Sequence, residues 1–147
     1  AWSPSAQAQT IVFDTPVAVV QPFNPPIIKA TSPITDVIPV AWSGFFAPGT
    51  SITTYELRYR HTPFDGTAGP WTTWNTFPAT TTSANFDYAA LSLGDGLYEF
   101  FAIARNNIGQ TQPFNPDSGT GASVILDLDG KITFDFYMPI ISNQMPD

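Results

Sequence analysis

Apolar and polar residues alternate along this chain in short segments, and prolines and glycines separate those segments. The 147 residues include 15 prolines and 10 glycines, and no segment shows a helical apolar period. Alternation with a period of two, in stretches rich in β-branched and aromatic residues, indicates half-buried strands. Seven strands are predicted in the central part of the chain, at 27–31, 38–42, 55–60, 71–77, 83–86, 98–105 and 122–128. The pattern therefore predicts an all-β sandwich over residues 27–129, with extensions at 1–26 and 130–147.

The N-terminal extension contains a further predicted strand between Thr10 and Val20. Pro16 cannot donate a ladder hydrogen bond, so this strand is expected at a sheet edge. The Pro-rich stretch 21–26 is a stiff spacer, which favours addition of the strand to a neighbouring sandwich, with docking on its own sandwich as the alternative. The residues expected to make this contact share one face of the strand: Ile11, Phe13, Val17 and Val19.

The C-terminal extension alternates in the same way after Lys131. The preceding Asp129-Gly130 is a tight-turn signal that returns the chain immediately, so this strand is expected to dock on its own domain. Addition to a neighbour is the alternative. The contact residues predicted here are Ile132, Phe134 and Phe136.

The strand at 98–105 has an unusual outward face. Tyr98, Phe100 and the two alanines that follow fill the face expected to point to the core. Phe101 and Ile103 then point outward as an apolar stripe, and exposed apolar patches usually mark contact sites. We expect this stripe to be covered, either by the same chain or by a neighbour.

Several strands resemble those of a fibronectin type III-like domain from secreted bacterial surface proteins. The shared residues are Trp42, Tyr55, Leu57, Tyr59, Trp71, Trp74, the Asp95-Gly96 turn before Tyr98, and Ala102-x-Ala104-Arg105-Asn106-Asn107-x-Gly109. The resemblance covers residues 27–129 and neither extension. It implies a fibronectin type III/immunoglobulin-like β-sandwich, with Trp42 as a core residue and Tyr98 as a corner residue, and says little about function.

The flanking strands resemble those of strand-donating pilus subunits. In that family the acceptor domain lacks a strand, whereas the predicted domain here has a full set. The resemblance therefore implies addition of a strand to a complete sandwich rather than repair of an incomplete one.

Composition excludes several classes of partner and cofactor. Charged residues make up 12% of the chain, the net charge is −7, and only five residues are basic, so no patch for nucleic acid is expected. The lack of cysteine excludes disulfides, zinc–thiolate sites, iron–sulfur clusters and thiol catalysis. No apolar run approaches ~20 residues, so no membrane span is predicted. A weakly charged surface suits an extracellular protein.

Catalytic and cofactor motifs are scarce. His61 is the only histidine, and no Gly-x-Ser-x-Gly elbow accompanies it, so we expect no enzyme. Glu56 and Glu99 are outward carboxylates, expected to pair with strand arginines rather than to act as a glycosidase pair. No phosphate loop or dinucleotide fingerprint is present, and no cofactor is expected.

Three other motifs contain residues of types that bind metal ions or sugars or carry glycans. Asp127-x-Asp129-Gly130 resembles a fragment of a calcium loop but lacks the remaining oxygen ligands, so we interpret it as a turn. The Thr-rich run 80–83 has a composition compatible with O-glycans. A sugar-stacking platform is a secondary hypothesis, formed by Phe64, Trp71, Trp74 and Tyr88.

One string of five residues, Gln-Pro-Phe-Asn-Pro, occurs at 21–25 and again at 112–116. Each copy precedes a predicted strand, but the flanking sequences do not match, so this is not a domain repeat. We interpret both copies as aromatic anchors beside a strand entry.

These observations favour a structural subunit of an extracellular bacterial filament. In this hypothesis the subunits form a head-to-tail homopolymer, because a heterologous contact that does not close into a ring generates a fibre. The alternative is a monomeric binding or spacer module of a secreted adhesin or carbohydrate-associated protein.

Overall fold

A computed structural model describes residues 15–131, which form two packed β-sheets. All seven strands predicted in the central part of the chain are confirmed, and an eighth precedes them. The strands are β1 (Val17–Val20), β2 (Ile27–Lys29), β3 (Ile38–Phe45), β4 (Ile52–Thr62), β5 (Thr72–Pro78), β6 (Ser83–Phe86), β7 (Gly96–Asn106) and β8 (Ala122–Asp127).

The sheets have the strand orders β1-β3-β6 and β2-β8-β7-β4-β5. Neighbouring strands are antiparallel, except that β2 runs parallel to β8. The predicted all-β, immunoglobulin-like sandwich is confirmed. No helix in the described part of the chain is long and apolar enough to cross a membrane.

The core lies between the inner faces of the two sheets, and β7 shows how alternation builds it. Tyr98, Phe100 and the alanines at 102 and 104 are buried in the core cluster, as predicted. Trp42 enters the core from the opposite sheet, with its ring centroid 5.1 Å from that of Phe77. The Tyr98 hydroxyl donates to the carbonyl of Gly94 at 2.5 Å, which gives the predicted corner at the start of β7.

The turn before β7 requires glycine. Gly96 has φ +149°, and a Cβ at this position would lie 2.4 Å from the Thr62 carbonyl oxygen. The Asp95-Gly96 turn therefore lets β7 pass close to the end of β4, where Thr62 pairs with Leu97.

Strand β1 is part of the chain's own sandwich, so the prediction that this strand adds to a neighbour is wrong for residues 17–20. It pairs with β3 in the register Val17↔Phe45 to Val20↔Trp42. Ala18 and Val20 point into the core, whereas Val17 and Val19 lie half-buried on the outer face. The spacer does not hold β1 away, because it only needs to carry the chain from β1 in one sheet to β2 in the other. The other predicted contact residues of the extensions, at 11, 13, 132, 134 and 136, lie outside the described residues.

The two ends of the sandwich differ in chemistry. The apolar end comprises residues 45–51, from the last residue of β3 to the start of β4, and residues 106–110, from the last residue of β7 onward. These residues include no charged side chain. The acidic end comprises the connections 30–37, 63–71, 87–95 and 128–131. Its aspartates are Asp36, Asp65, Asp87, Asp95 and Asp129.

Candidate contact surfaces

Phe101 and Ile103 point away from the core as predicted, but they are not an open stripe. Their relative exposures are 1% and 5%. The connection 107–121 between β7 and β8 folds back over this face, and the ring centroid of Phe114 lies 5.2 Å from that of Phe101. The same chain therefore covers the stripe, which removes it as a free contact surface.

A small aromatic and cationic layer completes this cover. The Phe114 ring contacts Trp71 at 5.5 Å between centroids, and the Arg58 guanidinium lies 4.5 Å from the Phe114 ring centroid. Arg60 lies 5.0 Å from the Trp71 ring centroid and donates two hydrogen bonds to Glu99 on β7, at 2.8 and 3.1 Å. The predicted pairing of a strand glutamate with an arginine on a neighbouring strand is thus present for Glu99.

The second outward glutamate pairs within its own strand. Glu56 accepts a hydrogen bond from Arg58 at 2.7 Å and another from the Thr73 hydroxyl at 3.1 Å. Because both glutamates lie on the outer sheet face with protein partners, their arrangement gives no support to an acid/base pair.

The sugar-stacking hypothesis finds no free platform in this arrangement. Trp74 is half-buried and packs against the core, with its ring centroid 5.2 Å from that of Phe86, and Tyr88 is buried. Trp71 has the Arg60 guanidinium over its ring and meets Phe114 edge to face. Three of the four proposed residues, Trp71, Trp74 and Tyr88, therefore already contact protein side chains.

The two copies of Gln-Pro-Phe-Asn-Pro pack against opposite faces of β7. Phe23 of the first copy packs on the core side, with its ring centroid 5.8 Å from that of Phe100. Phe114 of the second copy packs on the outer side against Phe101. Two consecutive residues of the same strand thus receive equivalent phenylalanines, which gives the repeated string a common packing role.

The glutamines of the two strings differ in burial. Gln112 is buried, and its Oε1 accepts hydrogen bonds from the backbone N–H of Ala18 at 2.7 Å and of Ala104 at 3.0 Å. Gln21 is exposed and donates to the Ser43 hydroxyl at 3.0 Å. Of the two glutamine side chains, only that of Gln112 therefore hydrogen-bonds to strands of both sheets.

The large apolar side chains that remain exposed in the described residues all lie at the two ends of the sandwich. Phe45, Phe46 and Ile108 are at the apolar end, with exposures of 60%, 53% and 53%. Ile34 and Leu91 are at the acidic end. The alternating pattern does not predict these exposed residues, because they lie outside the alternating segments. The adjacent pair Phe45-Phe46 before Pro48 was the available signal, since two aromatic residues in a row cannot both face the core of a strand.

The described chain also leaves the sandwich at opposite ends. Residue 15 lies beyond the start of β1, where Val17 pairs with Phe45 at the apolar end. Lys131 follows β8, whose last residues pair with the start of β7 at the acidic end. The described chain therefore enters at the end that carries Phe45, Phe46 and Ile108, and leaves at the end that carries Ile34 and Leu91.

The lone histidine has a structural environment. His61 Nε2 lies 3.2 Å from the Asp95 carbonyl oxygen, and the ring packs 4.5 Å from that of Tyr98. These contacts fix the imidazole against the start of β7. No hydroxyl nucleophile is among its hydrogen-bond partners within residues 15–131.

The Asp127-x-Asp129-Gly130 motif forms a turn at the acidic end. Asp127 Oδ1 accepts from the Lys131 N–H at 2.8 Å, and Asp127 Oδ2 lies 3.3 Å from Lys29 Nζ. Asp95 joins the group, so that carboxylate oxygens of three aspartates lie within 4.8 Å of one another. Desolvation, followed by the hydrogen bond with Asp95 and its negative charge, raises the pKa of Asp129. Because Asp127 binds Lys131 N–H and Lys29 Nζ, its contacts support the interpretation of this motif as a turn.

A shallow apolar groove lies between the spacer and the connection from β2 to β3. Its volume is about 400 Å³. The lining includes Phe23, Pro25, Ile27, Ile34 and Val124. Most of its lining side chains are apolar.

Comparison with known proteins assigns no family. No protein-family model matches this chain, and no curated protein matches it in sequence. Among solved structures, the chain is similar to a superoxide reductase (neelaredoxin) from Ignicoccus hospitalis, with 14% identity and a TM-score of 0.31 over 86% of this chain and 88% of that one. A likeness of this degree carries no argument about activity, cofactor or partner.

Proposed function

We propose that this protein is a structural subunit of an extracellular filament, in which sandwiches of the fibronectin type III-like kind assemble head to tail. The observation that carries the proposal is the distribution of exposed large apolar side chains, which occupy the two ends of the described sandwich. A protein that worked through its sides would be expected to carry such residues on its outer sheet faces.

The exit points of the extensions support the same arrangement. Because they lie at opposite ends, stacking one subunit on the next brings the C-terminal extension of the first subunit to the apolar end of the second. The contact is heterologous, since different surfaces meet, and its repetition produces a fibre rather than a closed pair.

Charge favours this arrangement over a symmetric one at the acidic end. Five aspartates and one nearby Lys131 would face their own copies in a contact between two acidic ends, and like charges in contact oppose association. An apolar end against an acidic end avoids this repulsion. A contact between two apolar ends would stop at a dimer, so the size of the assembly separates the two arrangements.

The test combines sedimentation velocity and negative-stain microscopy of the full chain. The wild type is expected to form filaments, and the double change Phe45→Ser with Phe46→Ser is expected to reduce assembly at least tenfold. The control is the double change Thr72→Ser with Thr73→Ser on the exposed side of β5. A wild type that remains monomeric at about 100 μM would overturn the proposal, because that concentration corresponds to only about 5.5 kcal/mol of association free energy.

The second candidate function is a monomeric binding or spacer module of an adhesin. The apolar groove of about 400 Å³ beside Phe23 favours it, because small ligands bind in concave, mostly apolar sites. A monomer that binds an apolar probe, and loses this binding on the change Ile34→Asp, would favour the module over the filament subunit.

A further inference from the structure

We propose that Lys29 and Asp127 are the site of a covalent cross-link, an isopeptide bond between Nζ of the lysine and Cγ of the aspartate. The bond joins β2 and β8, which are the first and last strands of the five-stranded sheet in chain order. It is a modification within one chain, so this inference goes beyond the proposed filament and does not depend on assembly. The placement, burial and hydrogen bonds of the two side chains support it.

The parallel pairing of β2 with β8 brings the two side chains together. Lys29 and Asp127 are partners in this ladder, next to the pair Ile28↔Leu126. Because Ile28 and Leu126 are buried in the core cluster, alternation turns Lys29 and Asp127 to the outer face of the sheet, side by side. Lys29 Nζ lies 3.3 Å from Asp127 Oδ2, and the carbon that Nζ attacks is bonded to this oxygen. Groups that a fold holds in contact react as if they were at very high concentration.

Burial makes the ionic form of this pair costly. The side chain of Asp127 is 0% exposed, and that of Lys29 is 33% exposed. A carboxylate removed from water loses its hydration, and an opposite charge offsets only part of this loss. An amide carries no charge and needs only hydrogen bonds. The environment of Asp127 therefore favours the neutral cross-link over the ion pair more than water does.

The two carboxylate oxygens of Asp127 have different partners, which assigns their roles. Oδ1 accepts a hydrogen bond from the backbone N–H of Lys131 at 2.8 Å, whereas Oδ2 faces Lys29. When Nζ adds to Cγ, negative charge develops on the oxygen that is retained, and the Lys131 N–H stabilises this charge on Oδ1. The product keeps the same hydrogen bond, with Oδ1 as the amide oxygen. Oδ2 is then the oxygen that leaves.

The reaction is a condensation that needs no other reactant. The bond between Nζ and Cγ forms, and the bond between Cγ and Oδ2 breaks. The ammonium group of Lys29 gives up two of its three protons, and both leave with Oδ2 as one molecule of water. One positive and one negative charge disappear together, and no group is oxidised or reduced.

Two further carboxyl groups lie close enough to carry these protons. Carboxylate oxygens of Asp95, Asp127 and Asp129 lie within 4.8 Å of one another, a separation that one water molecule can bridge. Asp95 is held in place by the Asp129 N–H, which donates to its Oδ2 at 3.0 Å. Desolvation, followed by the hydrogen bond with Asp95, raises the pKa of Asp129, so this group holds a proton more readily than an isolated carboxyl. A proton carrier is thus present beside the reacting pair.

The other two ion pairs described within residues 15–131 lack the chemistry for this reaction. Glu56 pairs with Arg58, and Glu99 pairs with Arg60. A guanidinium group stays protonated and is not a nucleophile under ordinary conditions. Both glutamate side chains are also partly exposed, at 31% and 26%. The pair of Lys29 and Asp127 therefore combines an amine with a fully buried carboxylate, which the other two pairs do not.

The position of the bond gives it a mechanical role. The described chain enters the sandwich at the apolar end and leaves it at the acidic end. A pull on the two extensions reaches Lys29 from one side and Asp127 from the other, and these residues are 98 positions apart. With the bond in place, tension passes directly from β2 to β8. The strands from β3 to β7 lie outside this path and stay folded under load.

Intact mass spectrometry of the denatured full chain tests the bond. The wild type is expected to be lighter than its sequence by one water molecule. Lys29→Arg keeps the positive charge but removes the amine, so this variant is expected to have its full sequence mass. The chain contains only one other lysine, and Lys131→Arg is therefore the matched control, which is expected to keep the loss of water.

Digestion of the wild type with trypsin locates the bond without any variant, so the test stands even where Lys29→Arg fails to fold. Trypsin cuts after lysine and arginine, but a lysine whose amine is in an amide is not cut. Residues 1–58 are therefore expected to stay uncut after Lys29 and to remain joined to residues 106–131.

Three results would overturn the inference. The first is a wild type that has its full sequence mass. The second is a loss of water that persists in Lys29→Arg, because it would then come from another reaction, such as cyclisation at an Asp-Gly sequence. The third is a digest in which residues 1–58 and 106–131 separate. Each of these results leaves the filament proposal standing, since sedimentation and microscopy measure assembly independently of the bond.

Discussion

Gln112 links the two sheets through hydrogen bonds of its side chain. Its buried side chain satisfies the N–H groups of Ala18 on β1 and Ala104 on β7, and its own N–H donates to the Ala104 carbonyl at 2.9 Å. Two backbone donors in a dry environment thus rely on one amide oxygen. The identical string at 21–25 places Gln21 at the surface, which provides a control within the same molecule.

The change Gln112→Ala is expected to lower the free energy of unfolding by about 2–4 kcal/mol, because it leaves two buried N–H groups without an acceptor. Urea denaturation followed by tryptophan fluorescence measures this loss. Gln21→Ala, at the exposed copy, is expected to change stability by less than about 0.5 kcal/mol. Equal losses for the two variants would contradict the role assigned to Gln112.

Tyr98 gives the fold a dependence on alkaline pH. Burial, with smaller contributions from Tyr88 and the negative charge of Asp95, raises the pKa of Tyr98 above its ordinary value of 10.0. The folded state therefore holds this proton more tightly than the unfolded state. The resulting stabilisation is complete below pH 10 and is lost as the pH rises through the raised pKa of the folded state.

The change Tyr98→Phe is expected to cost about 1 kcal/mol at pH 7, because the hydrogen bond to the Gly94 carbonyl is lost and the ring is kept. Above pH 10 the gap between wild type and variant is expected to shrink, since only the wild type has this proton to lose. Thermal unfolding at pH 7, 10 and 11 measures the gap. A gap that stays constant over this range would argue against the buried hydroxyl as its source.

At the scale of elements, β7 is enclosed by side chains on both faces over much of its length. Its inner face packs in the core, and its outer face is covered at Phe101 by Phe114 from the connection 107–121. A strand buried on both faces reads as a near-continuous apolar run, and residues 100–104 have this composition. The covering connection therefore belongs to the folded unit as much as the strands do.

The change Phe114→Ala is expected to uncover Phe101 and to destabilise the protein by about 2–3 kcal/mol, because the ring is half-buried and truncation of a large aromatic residue in a full core costs 3–5. Binding of a fluorescent apolar dye is expected to increase at the same time. Leu91→Ala, at an exposed position, is the control and is expected to affect stability by less than about 0.5 kcal/mol. Unchanged dye binding in the Phe114 variant would contradict the role of Phe114 as cover.

The elements that sequence predicts well here are those whose signal is local. Alternation is decided by each strand's own residues, so the positions of β2 to β8 and the core face of β7 followed directly from it. The destination of β1 did not, because pairing with β3 depends on a partner distant in sequence and on the acceptor that Gln112 provides. Likewise, Phe101 is covered by Phe114, which lies in a connection without alternation. No sequence pattern around Phe114 indicates which residue it packs against.

The candidate contact surfaces also combine features that are set locally with features that depend on the whole fold. The outward direction of Phe101 and Ile103 was predictable from alternation, but their burial was not. Phe45 and Phe46 became candidates only when the topology placed them at the end opposite Lys131. Which end of a sandwich a connection occupies depends on the order of all strands, and this order is a global property.

At the scale of the whole molecule, charge and apolar surface make opposite demands on assembly. The net charge of −7 makes identical subunits repel one another, and five of the aspartates are concentrated at one end. The proposed contact brings that end against an end without charged side chains. Its free energy therefore comes from burying apolar groups rather than from ion pairs.

This balance predicts that assembly strengthens with salt. The screening length falls from about 30 Å at 0.01 M to about 8 Å at 0.15 M ionic strength, so repulsion between neighbouring subunits declines while the apolar contact is kept. The sedimenting fraction of the full chain is expected to rise at least threefold between 0.01 M and 0.5 M sodium chloride. An assembly built on ion pairs would instead dissociate over this range. A fall in the sedimenting fraction would therefore indicate that ion pairs, rather than apolar contacts, hold the subunits together. The double change Phe45→Ser with Phe46→Ser should then have little effect on assembly.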